Sequence, residues 1–136
     1  MTTRSERILV AEDNEVFAKA LRFNLEHFGF SPTFARDGKE ALQLAQETQF
    51  DLVITDYQMP KMLGMELCRA LRADERYANT PLILMSAFED RKVVELFDDL
   101  ELLDAIFVKP FSMGELLTRI EACLAAANSD KPVSPS

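Results

Sequence analysis

The sequence predicts a doubly wound α/β domain, in which a five-stranded parallel sheet of order 2-1-3-4-5 has helices on both faces. Short apolar runs alternate along the chain with segments whose apolar residues recur at helical spacing. This alternation is typical of strand-helix-strand units joined by right-handed crossovers. Most of the runs are continuously apolar, as strands covered on both faces are. The second run is weaker and has Pro32 near its start, which places it at an edge of the sheet.

The predicted strands share one form, a short apolar or β-branched run followed by a polar residue or a turn. Residues 52–55 lead directly into Asp56 and then into a turn that contains Pro60. The remaining strands are predicted at residues 8–11, 31–35, 82–85 and 105–108. Because ligands bind at the carboxyl ends of parallel strands, the polar residues that end these runs should converge on Asp56.

The first, second and last helices begin with recognisable capping residues. Asn14 lies in a turn that can cap a first helix, whose apolar positions run to residue 28 and which stops at Gly29. Asp37-Gly38-Lys39-Glu40 and Ser112-Met113-Gly114-Glu115 have the spacing of capping boxes. They predict the starts of the second helix and of a last helix that continues to about Ala127.

The third and fourth helices are defined mainly by their apolar positions. Gly64, Leu67, Cys68 and Leu71 form the inward stripe of the third helix. The fourth helix is predicted from the apolar residues within 93–100. Its end is not defined, because residues 98–104 mix acids and leucines without a glycine stop.

Composition limits the class of partner. The chain has 136 residues, a formal net charge of −8 and a pI near 4.7. That length fits one domain that buries about two thirds of its unfolded surface. Binding to nucleic acid or to an anionic membrane needs clustered Lys and Arg, so the acidic balance argues against both and favours protein partners.

The cysteines and the termini predict a soluble, unexported, cytoplasmic protein. Cys68 and Cys123 occupy apolar positions of helical patterns, which predicts buried, reduced thiols rather than a disulfide or a metal site. The chain lacks a signal-peptide core, and none of its apolar runs approaches the ~20 residues of a membrane span. Residues 1–127 are predicted to form the domain. Residues 128–136 are polar, with two prolines and three serines, and are read as a tail or the start of a linker.

Four strand ends carry residues that fit phosphoryl-transfer chemistry. In the order 2-1-3-4-5, the acid pair Glu12-Asp13 lies beside Asp56 at the switch point of the sheet. Three adjacent carboxylates repel one another unless a cation lies among them, and Mg²⁺ prefers such oxygen ligands. Ser86 and Lys109 follow the fourth and fifth strands, where they can contribute a hydroxyl and a positive charge. Each residue alone is weak evidence, but the conjunction at four strand ends indicates a site.

These residues resemble a known family, the receiver domain of two-component response regulators, over roughly residues 6–127. The resemblance is carried by four motifs: Ile8-Leu9-Val10-Ala11-Glu12-Asp13-Asn14, Asp56-Tyr57-Gln58-Met59-Pro60 with Gly64, Ser86-Ala87, and Val108-Lys109-Pro110-Phe111. As a set these motifs are highly specific. They place the predicted fold with the flavodoxin-like and CheY-like domains.

The resemblance implies a role for each site residue. Asp56 is expected to accept a phosphoryl group from the phosphohistidine of a histidine kinase. Mg²⁺ is expected to bind Asp13, Asp56 and the backbone carbonyl of Gln58, with Glu12 acting through a metal-bound water. Ser86 and Lys109 are expected to bind the phosphoryl oxygens, and Lys109-Pro110 is expected to be a cis peptide.

The resemblance also implies a signalling domain rather than an enzyme that turns over a substrate. Its expected partners are a sensor histidine kinase or phosphotransfer protein, and a downstream protein or an output domain. A homodimer through the face of helix four, strand five and helix five is a further expectation. Direct contacts with nucleic acid or membrane are not expected.

The chain departs from the family pattern near the fifth strand. Ile106 stands where the family often has an aromatic residue, three positions before Lys109. Strand alternation directs the adjacent Phe107 to the other face of the sheet. The Gly-Ala pair that commonly precedes the fifth strand is absent, since residues 102–105 read Leu-Leu-Asp-Ala. The fourth helix and its junction are therefore expected to be unusual.

Three alternatives remain open at this point. A haloacid-dehalogenase-like phosphatase uses similar groups, but it needs an Asp-x-Asp motif after the first strand, where this chain has Glu12-Asp13-Asn14. A flavodoxin-like FMN carrier needs a hydroxyl- and glycine-rich phosphate loop there, and the acid pair would repel a phosphate. The third alternative is a receiver fold used only as an interaction module. The intact set of site residues argues against it.

Overall fold

The computed structural model describes residues 6–129 and contains the predicted parallel sheet. Its five strands are β1 (Arg7–Ala11), β2 (Ser31–Ala35), β3 (Leu52–Asp56), β4 (Leu82–Ser86) and β5 (Ala105–Val108). They pair in parallel in the order β2-β1-β3-β4-β5, with β2 at one edge. The predicted fold class and strand order are confirmed.

Among residues 6–129, five helices connect and follow these strands. They are α1 (Glu15–His27), α2 (Gly38–Glu47), α3 (Gly64–Arg72), α4 (Arg91–Glu95) and α5 (Met113–Ser129). Three short 3₁₀ turns add to them, at Glu75–Tyr77, Phe88–Asp90 and Leu100–Leu102. Within the part of the chain that the structure describes, no helix is both long enough and apolar enough to cross a membrane.

The predicted capping residues begin three of the helices. The side chains of Asn14 and Asp37 accept the N–H of the third residue beyond them, at 3.0 and 2.8 Å. Ser112 accepts the Glu115 N–H at 3.2 Å in the same way. Glu40 differs from the predicted capping box, because its carboxylate accepts the N–H of Arg36, one residue before the cap.

The sheet buries apolar side chains on both faces. On one face, Ile8, Val10 and Ile54 pack with buried leucine and isoleucine residues of α1 and α5. On the other, Leu9 and Val53 pack with apolar residues of α2 and α3. Alternate residues of each central strand thus pack against helices on opposite faces, as expected of a doubly wound sheet.

The fourth helix, whose end the sequence left undefined, covers only part of the apolar pattern within residues 93–100. The helix α4 ends at Glu95, and the chain continues through a separate turn at Leu100–Leu102. A third apolar cluster explains the difference, because Phe97 and Leu100 pack against buried Tyr57 and its neighbours. Phe97 and Leu100 are positioned by this packing and not by a continuation of the helix. The unusual junction expected from the sequence is present.

The other end of the chain also differs slightly from prediction. The helix α5 continues past Ala127 to Ser129. Residues 130–136 of the predicted tail lie outside the described residues, so the boundary at residue 127 stays a prediction.

Two side chains that the sequence analysis did not single out join the elements at the amino-terminal edge of the sheet. Arg72 donates to the carbonyls of Tyr77, Thr80 and Leu102 at 2.7 to 3.0 Å. The Tyr77 hydroxyl lies 2.7 Å from the carbonyl of Ala45 and accepts the Phe50 N–H at 3.3 Å. These bonds satisfy backbone groups where helices and strands meet, at the edge opposite Asp56.

Both cysteines are free thiols, as predicted. Cys68 is fully buried, whereas Cys123 is half-buried. Burial raises the pKa of the Cys68 thiol to about 12, so this cysteine is packed as an apolar side chain.

Candidate functional site

The strand register brings Glu12, Asp56 and Lys109 to one edge of the sheet. Ala11 pairs with Thr55, so the residues that follow them, Glu12 and Asp56, are neighbours. Asp56 ends β3 opposite Met85, and Lys109 directly follows β5. The Lys109 N–H donates to the Ser86 carbonyl at 2.8 Å, which fixes this residue against the end of β4.

The Lys109 ammonium bridges two carboxyl groups. Its Nζ lies 2.9 Å from Asp56 Oδ1 and 3.0 Å from Glu12 Oε1. The side chains of Glu12 and Asp56 are only 1% and 8% exposed, and that of Lys109 is 28% exposed. Glu12 is held further by the Asn14 N–H, which donates to its Oε2 at 3.1 Å. The sequence prediction that these residues converge is confirmed.

Burial separates the acidities of the two carboxyl groups. It raises the pKa of Asp56 from its ordinary value of 3.8 to about 8, and adjacent Glu12 acts in the same direction. Burial also raises the pKa of Glu12, but hydrogen bonds with Asp56, Lys109 and the Asn14 N–H outweigh it and leave this pKa lowered. Burial lowers the pKa of Lys109, and the two carboxyl groups more than reverse that effect. Without a cation, Glu12 is therefore the more acidic of the two carboxyl groups, and Asp56 retains its proton to a higher pH.

Three carboxyl groups are arranged in a way that fits a hard divalent cation. Glu12, exposed Asp13 and Asp56 each place one oxygen within 4.8 Å of the others. Gln58 and these three residues line a cleft of about 220 Å³. An oxygen donor set with several acids and room for retained water suits Mg²⁺.

The loop after β3 approaches the site closely at Gly64. A Cβ at this position would lie 2.1 Å from the carbonyl oxygen of Asp56, so only glycine fits. The Gly64 N–H donates to the Tyr57 carbonyl at 2.7 Å, which closes the loop against β3. Within the loop, Lys61 has a φ of 70°, a conformation uncommon for a non-glycine residue.

Ser86 and the Lys109-Pro110 bond complete the set of predicted features. Ser86 ends β4 and is 1% exposed, and its hydroxyl donates to the Ala87 carbonyl at 3.0 Å. Among the described residues that line the cleft, Ala87 is present and Ser86 is not. The Lys109-Pro110 peptide is cis, as the resemblance implied.

The contact between Phe17 and the site was not predicted from the sequence. The Lys109 Nζ lies 4.2 Å from the centre of the Phe17 ring. Phe111 packs edge-on against that ring at 5.9 Å, and Phe107 lies 5.2 Å from Phe111. Phe107 thus faces the core while Ile106 is 40% exposed, as strand alternation predicted. Phe17 lies at an apolar position of the first-helix pattern, but that pattern could not show its contact with Lys109.

The chain matches the response regulator receiver domain family over residues 8–121. It belongs to this family. The receiver domain is 36% identical over 133 residues to the DNA-binding response regulator MtrA of Mycobacterium tuberculosis, covering 97% of this chain and 56% of that protein. The chain spans about half the length of the curated relatives it matches.

Solved structures with the same fold include other receiver domains. One is the signal receiver domain of a signal transduction histidine kinase from Syntrophus aciditrophicus, with a TM-score of 0.82 and 30% identity, covering 96% of this chain and 98% of that one. Another is the receiver domain of a sensor histidine kinase from Pseudomonas aeruginosa, with a TM-score of 0.79 and 25% identity over 90% of this chain and 99% of that one. The latter structure has a magnesium ion coordinated in its active-site cleft.

Proposed function

We propose that this receiver domain accepts a phosphoryl group on Asp56 in a Mg²⁺-dependent reaction. The donor is the phosphohistidine of a sensor histidine kinase or of a phosphotransfer protein. The observation that carries the proposal is the ammonium of Lys109, 2.9 Å from Oδ1 of a buried carboxyl group at a strand end. A buried acid paired with a cation is a candidate nucleophile, because the ammonium offsets part of the negative charge that the phosphoryl group brings.

In the proposed reaction, a carboxylate oxygen of Asp56 attacks phosphorus while the bond from phosphorus to the imidazole nitrogen breaks. The product is an acyl phosphate on Asp56 and a free histidine on the donor. Asp56 must lose its proton first, because only the carboxylate is nucleophilic. Lys109 then exchanges its contact with Asp56 for one with a phosphoryl oxygen, retaining Glu12 as a second partner.

The chain offers ligands for the cation at one side of the cleft. Asp13, Asp56 and the backbone carbonyl of Gln58 would hold Mg²⁺, and Glu12 would act through a water on the metal. When bound, Mg²⁺ supplies positive charge that offsets the repulsion between acids and phosphoryl oxygens. Ser86 contributes on the opposite side, where rotation of its hydroxyl away from the Ala87 carbonyl would allow it to bind a phosphoryl oxygen.

Intact-mass measurement after incubation with acetyl phosphate and Mg²⁺ tests this proposal. The wild type should gain the mass of one phosphoryl group, and Asp56→Asn should gain none. Asp51→Asn is the matched control, because Asp51 is exposed and precedes the same strand. Labelling of Asp56→Asn at wild-type yield would reject Asp56 as the acceptor. Multiple turnover of a phosphomonoester would favour the phosphatase alternative, and failure of the wild type to accept phosphate would favour an interaction module.

The proposed output is a change in protein contacts rather than turnover of a substrate. Phosphorylation would alter the surface that controls a downstream protein or an attached output domain. A homodimer through the face formed by α4, β5 and α5 is part of this proposal. A cytoplasmic location, where histidine kinases transfer phosphoryl groups, is consistent with it.

A further inference from the structure

The ammonium of Lys109 has a third neighbour besides its two carboxyl partners. A lysine ammonium has three N–H donors. Asp56 and Glu12 are partners for two of them. The ring of Phe17 lies on another side, with its centre 4.2 Å from Nζ. A cation at this distance is attracted by the negative face of an aromatic ring.

The Phe17 ring is held firmly by its own surroundings. Asn14 caps α1 by accepting the Phe17 N–H itself at 3.0 Å, so the backbone of Phe17 is fixed directly after the acid pair. Phe111 packs edge-on against the ring, with an interplanar angle of 85°. Because Phe111 follows Lys109 by two residues, the ring and the lysine are positioned by the same short segment.

The ring differs from the carboxyl partners in what the proposed reaction does to it. Asp56 would change from a carboxyl group to an acyl phosphate, and Glu12, although it stays beside Lys109, would also bind a water on the metal. The Phe17 ring has no titrating group and is not altered chemically by the proposed reaction. A lysine side chain is a flexible four-carbon stem. A fixed contact that survives every step would keep the ammonium near the phosphoryl oxygens.

We infer that Phe17 is a positioning residue for Lys109, holding its ammonium against the π face of the ring at the phosphorylation site. The expected effect of Phe17 on the phosphorylation rate rests on the proposed function of Asp56. The contact itself is a property of the unmodified protein. The two parts can therefore be tested separately.

Replacement of Phe17 by pentafluorophenylalanine separates electrostatics from packing. This residue keeps nearly the shape of phenylalanine but reverses the charge distribution of the ring. We expect the rate of phosphorylation by acetyl phosphate at saturating Mg²⁺ to fall about three- to tenfold, as loss of a partly exposed cation–π contact predicts. Phe17→Leu should lose a similar factor, whereas Phe17→Tyr should retain the wild-type rate. Acetyl phosphate is a small donor, so the substitutions cannot act through docking of a protein donor.

Two controls isolate the contact. Phe23→Leu changes another phenylalanine of α1 whose side chain is 69% exposed, and it should leave the rate unchanged. Saturating Mg²⁺ in every protein removes differences in metal affinity from the comparison of rates, because Lys109 contacts two of the residues proposed to act on the metal, Glu12 and Asp56. A wild-type rate in the fluorinated protein would overturn the inference even if Phe17→Leu were slow or failed to fold, since packing alone would then explain Phe17.

A measurement on the unphosphorylated protein distinguishes the two proposals. In the wild type, the protons beside Nζ of Lys109 should be shifted upfield by the Phe17 ring, and this shift should disappear in Phe17→Leu. If the wild type accepts no phosphoryl group but shows the ring shift, the proposed function fails and the contact stands. If phosphorylation occurs without any ring shift, the inference about Phe17 fails and the function stands.

Discussion

The ring of Tyr57 lies 5.8 Å from the ring of Phe97, at an interplanar angle of 67°. Tyr57 directly follows Asp56, and Phe97 lies in the segment after α4. The Arg69 guanidinium covers the Phe97 ring at 5.4 Å and is hydrogen-bonded to Asp99. The residue next to the proposed phosphoacceptor is therefore in contact with the segment where the helical pattern breaks down.

We predict that this contact carries the response to phosphorylation into residues 96–103. Addition of Mg²⁺ and beryllofluoride, a phosphoryl mimic, should shift amide signals in residues 86–90 and 96–103 of the wild type. In Phe97→Leu, the shifts at 86–90 should persist and those at 96–103 should shrink. The variant should also lose about 1 kcal/mol of unfolding free energy, a typical value for an aromatic pair.

Phe88→Leu is the control for this measurement, because Phe88 is 58% exposed and lies before α4. It should leave the response of residues 96–103 intact. Large shifts confined to Ile106 and β5, with residues 86–103 unmoved, would show that the response follows another route.

We predict that Mg²⁺ affinity depends more on Asp13 than on Glu12. Asp13→Ala removes a proposed direct ligand, whereas Glu12→Ala removes a group that orients a metal-bound water. The loss for Glu12→Ala should be about tenfold, a typical effect of removing an outer partner, and the loss for Asp13→Ala should be larger. Isothermal titration of folded proteins gives the ranking. Equal affinities for Asp13→Ala and the wild type would contradict the proposed ligand set.

The convergence of these charged side chains could be predicted from the sequence. The buried strands are short apolar runs, and in a parallel sheet their carboxyl ends must meet, so Glu12, Asp56 and Lys109 could be placed together from the sequence. The caps at Asn14 and Asp37 were equally predictable, because they depend on residues only three positions apart.

Other features depend on geometry that local sequence does not contain. Arg72 was an ordinary helix-end residue in the sequence, yet it donates to carbonyls as far along the chain as Leu102. The helix α4 ends early because Phe97 and Leu100 pack against Tyr57. The spacing of apolar residues along the sequence does not reveal this contact. The contact of Phe17 with Lys109 joins two residues on different elements and could be found only in three dimensions.

The raised pKa of Asp56 predicts how stability changes with pH. A group whose pKa is higher in the folded than in the unfolded protein stabilises the fold at low pH, and this contribution is lost as pH rises through the folded value. For metal-free protein, the contribution of Asp56 should therefore decline from about pH 4 to about pH 8. Its slope should not exceed about 1.4 kcal/mol per pH unit.

Urea unfolding across this pH range, with and without Asp56→Asn, measures the effect. The variant should lack this decline and should exceed the metal-free wild type in stability at the alkaline end. The pKa of Glu12 is lowered, so titration of this residue changes stability only below about its ordinary pKa of 4.5. Most of the range from pH 4 to pH 8 is therefore free of its effect. Parallel profiles for the two proteins would refute the assigned proton.

We predict that Gly64→Ala disrupts both stability and the site. The added methyl group would lie 2.1 Å from the Asp56 carbonyl oxygen, so the strand end must move. The cost should be about 1–3 kcal/mol of unfolding free energy, as for other overpacked positions, and phosphorylation of Asp56 should slow.

Gly114→Ala is the matched control, because Gly114 also lies at the beginning of a helix. The nearest atom that its new methyl group would meet is the Ser112 hydroxyl oxygen, at 3.4 Å. This change should be neutral or should stabilise the fold by about 0.5–1 kcal/mol through helix propensity. If the two variants were equally stable, the close approach of the Asp56 carbonyl would not be what requires glycine at position 64.

The positions of Tyr57 and Tyr77 have an optical consequence. They are the two tyrosines of a chain without tryptophan. Tyr57 lines the reaction cleft, whereas Tyr77 is fully buried at the far edge of the sheet with its hydroxyl bonded to backbone. We therefore expect a change in tyrosine emission upon addition of a cation or phosphodonor to originate at Tyr57, with Tyr77 contributing a constant background. The unlabelled protein thus serves as its own sensor for rapid-mixing kinetics.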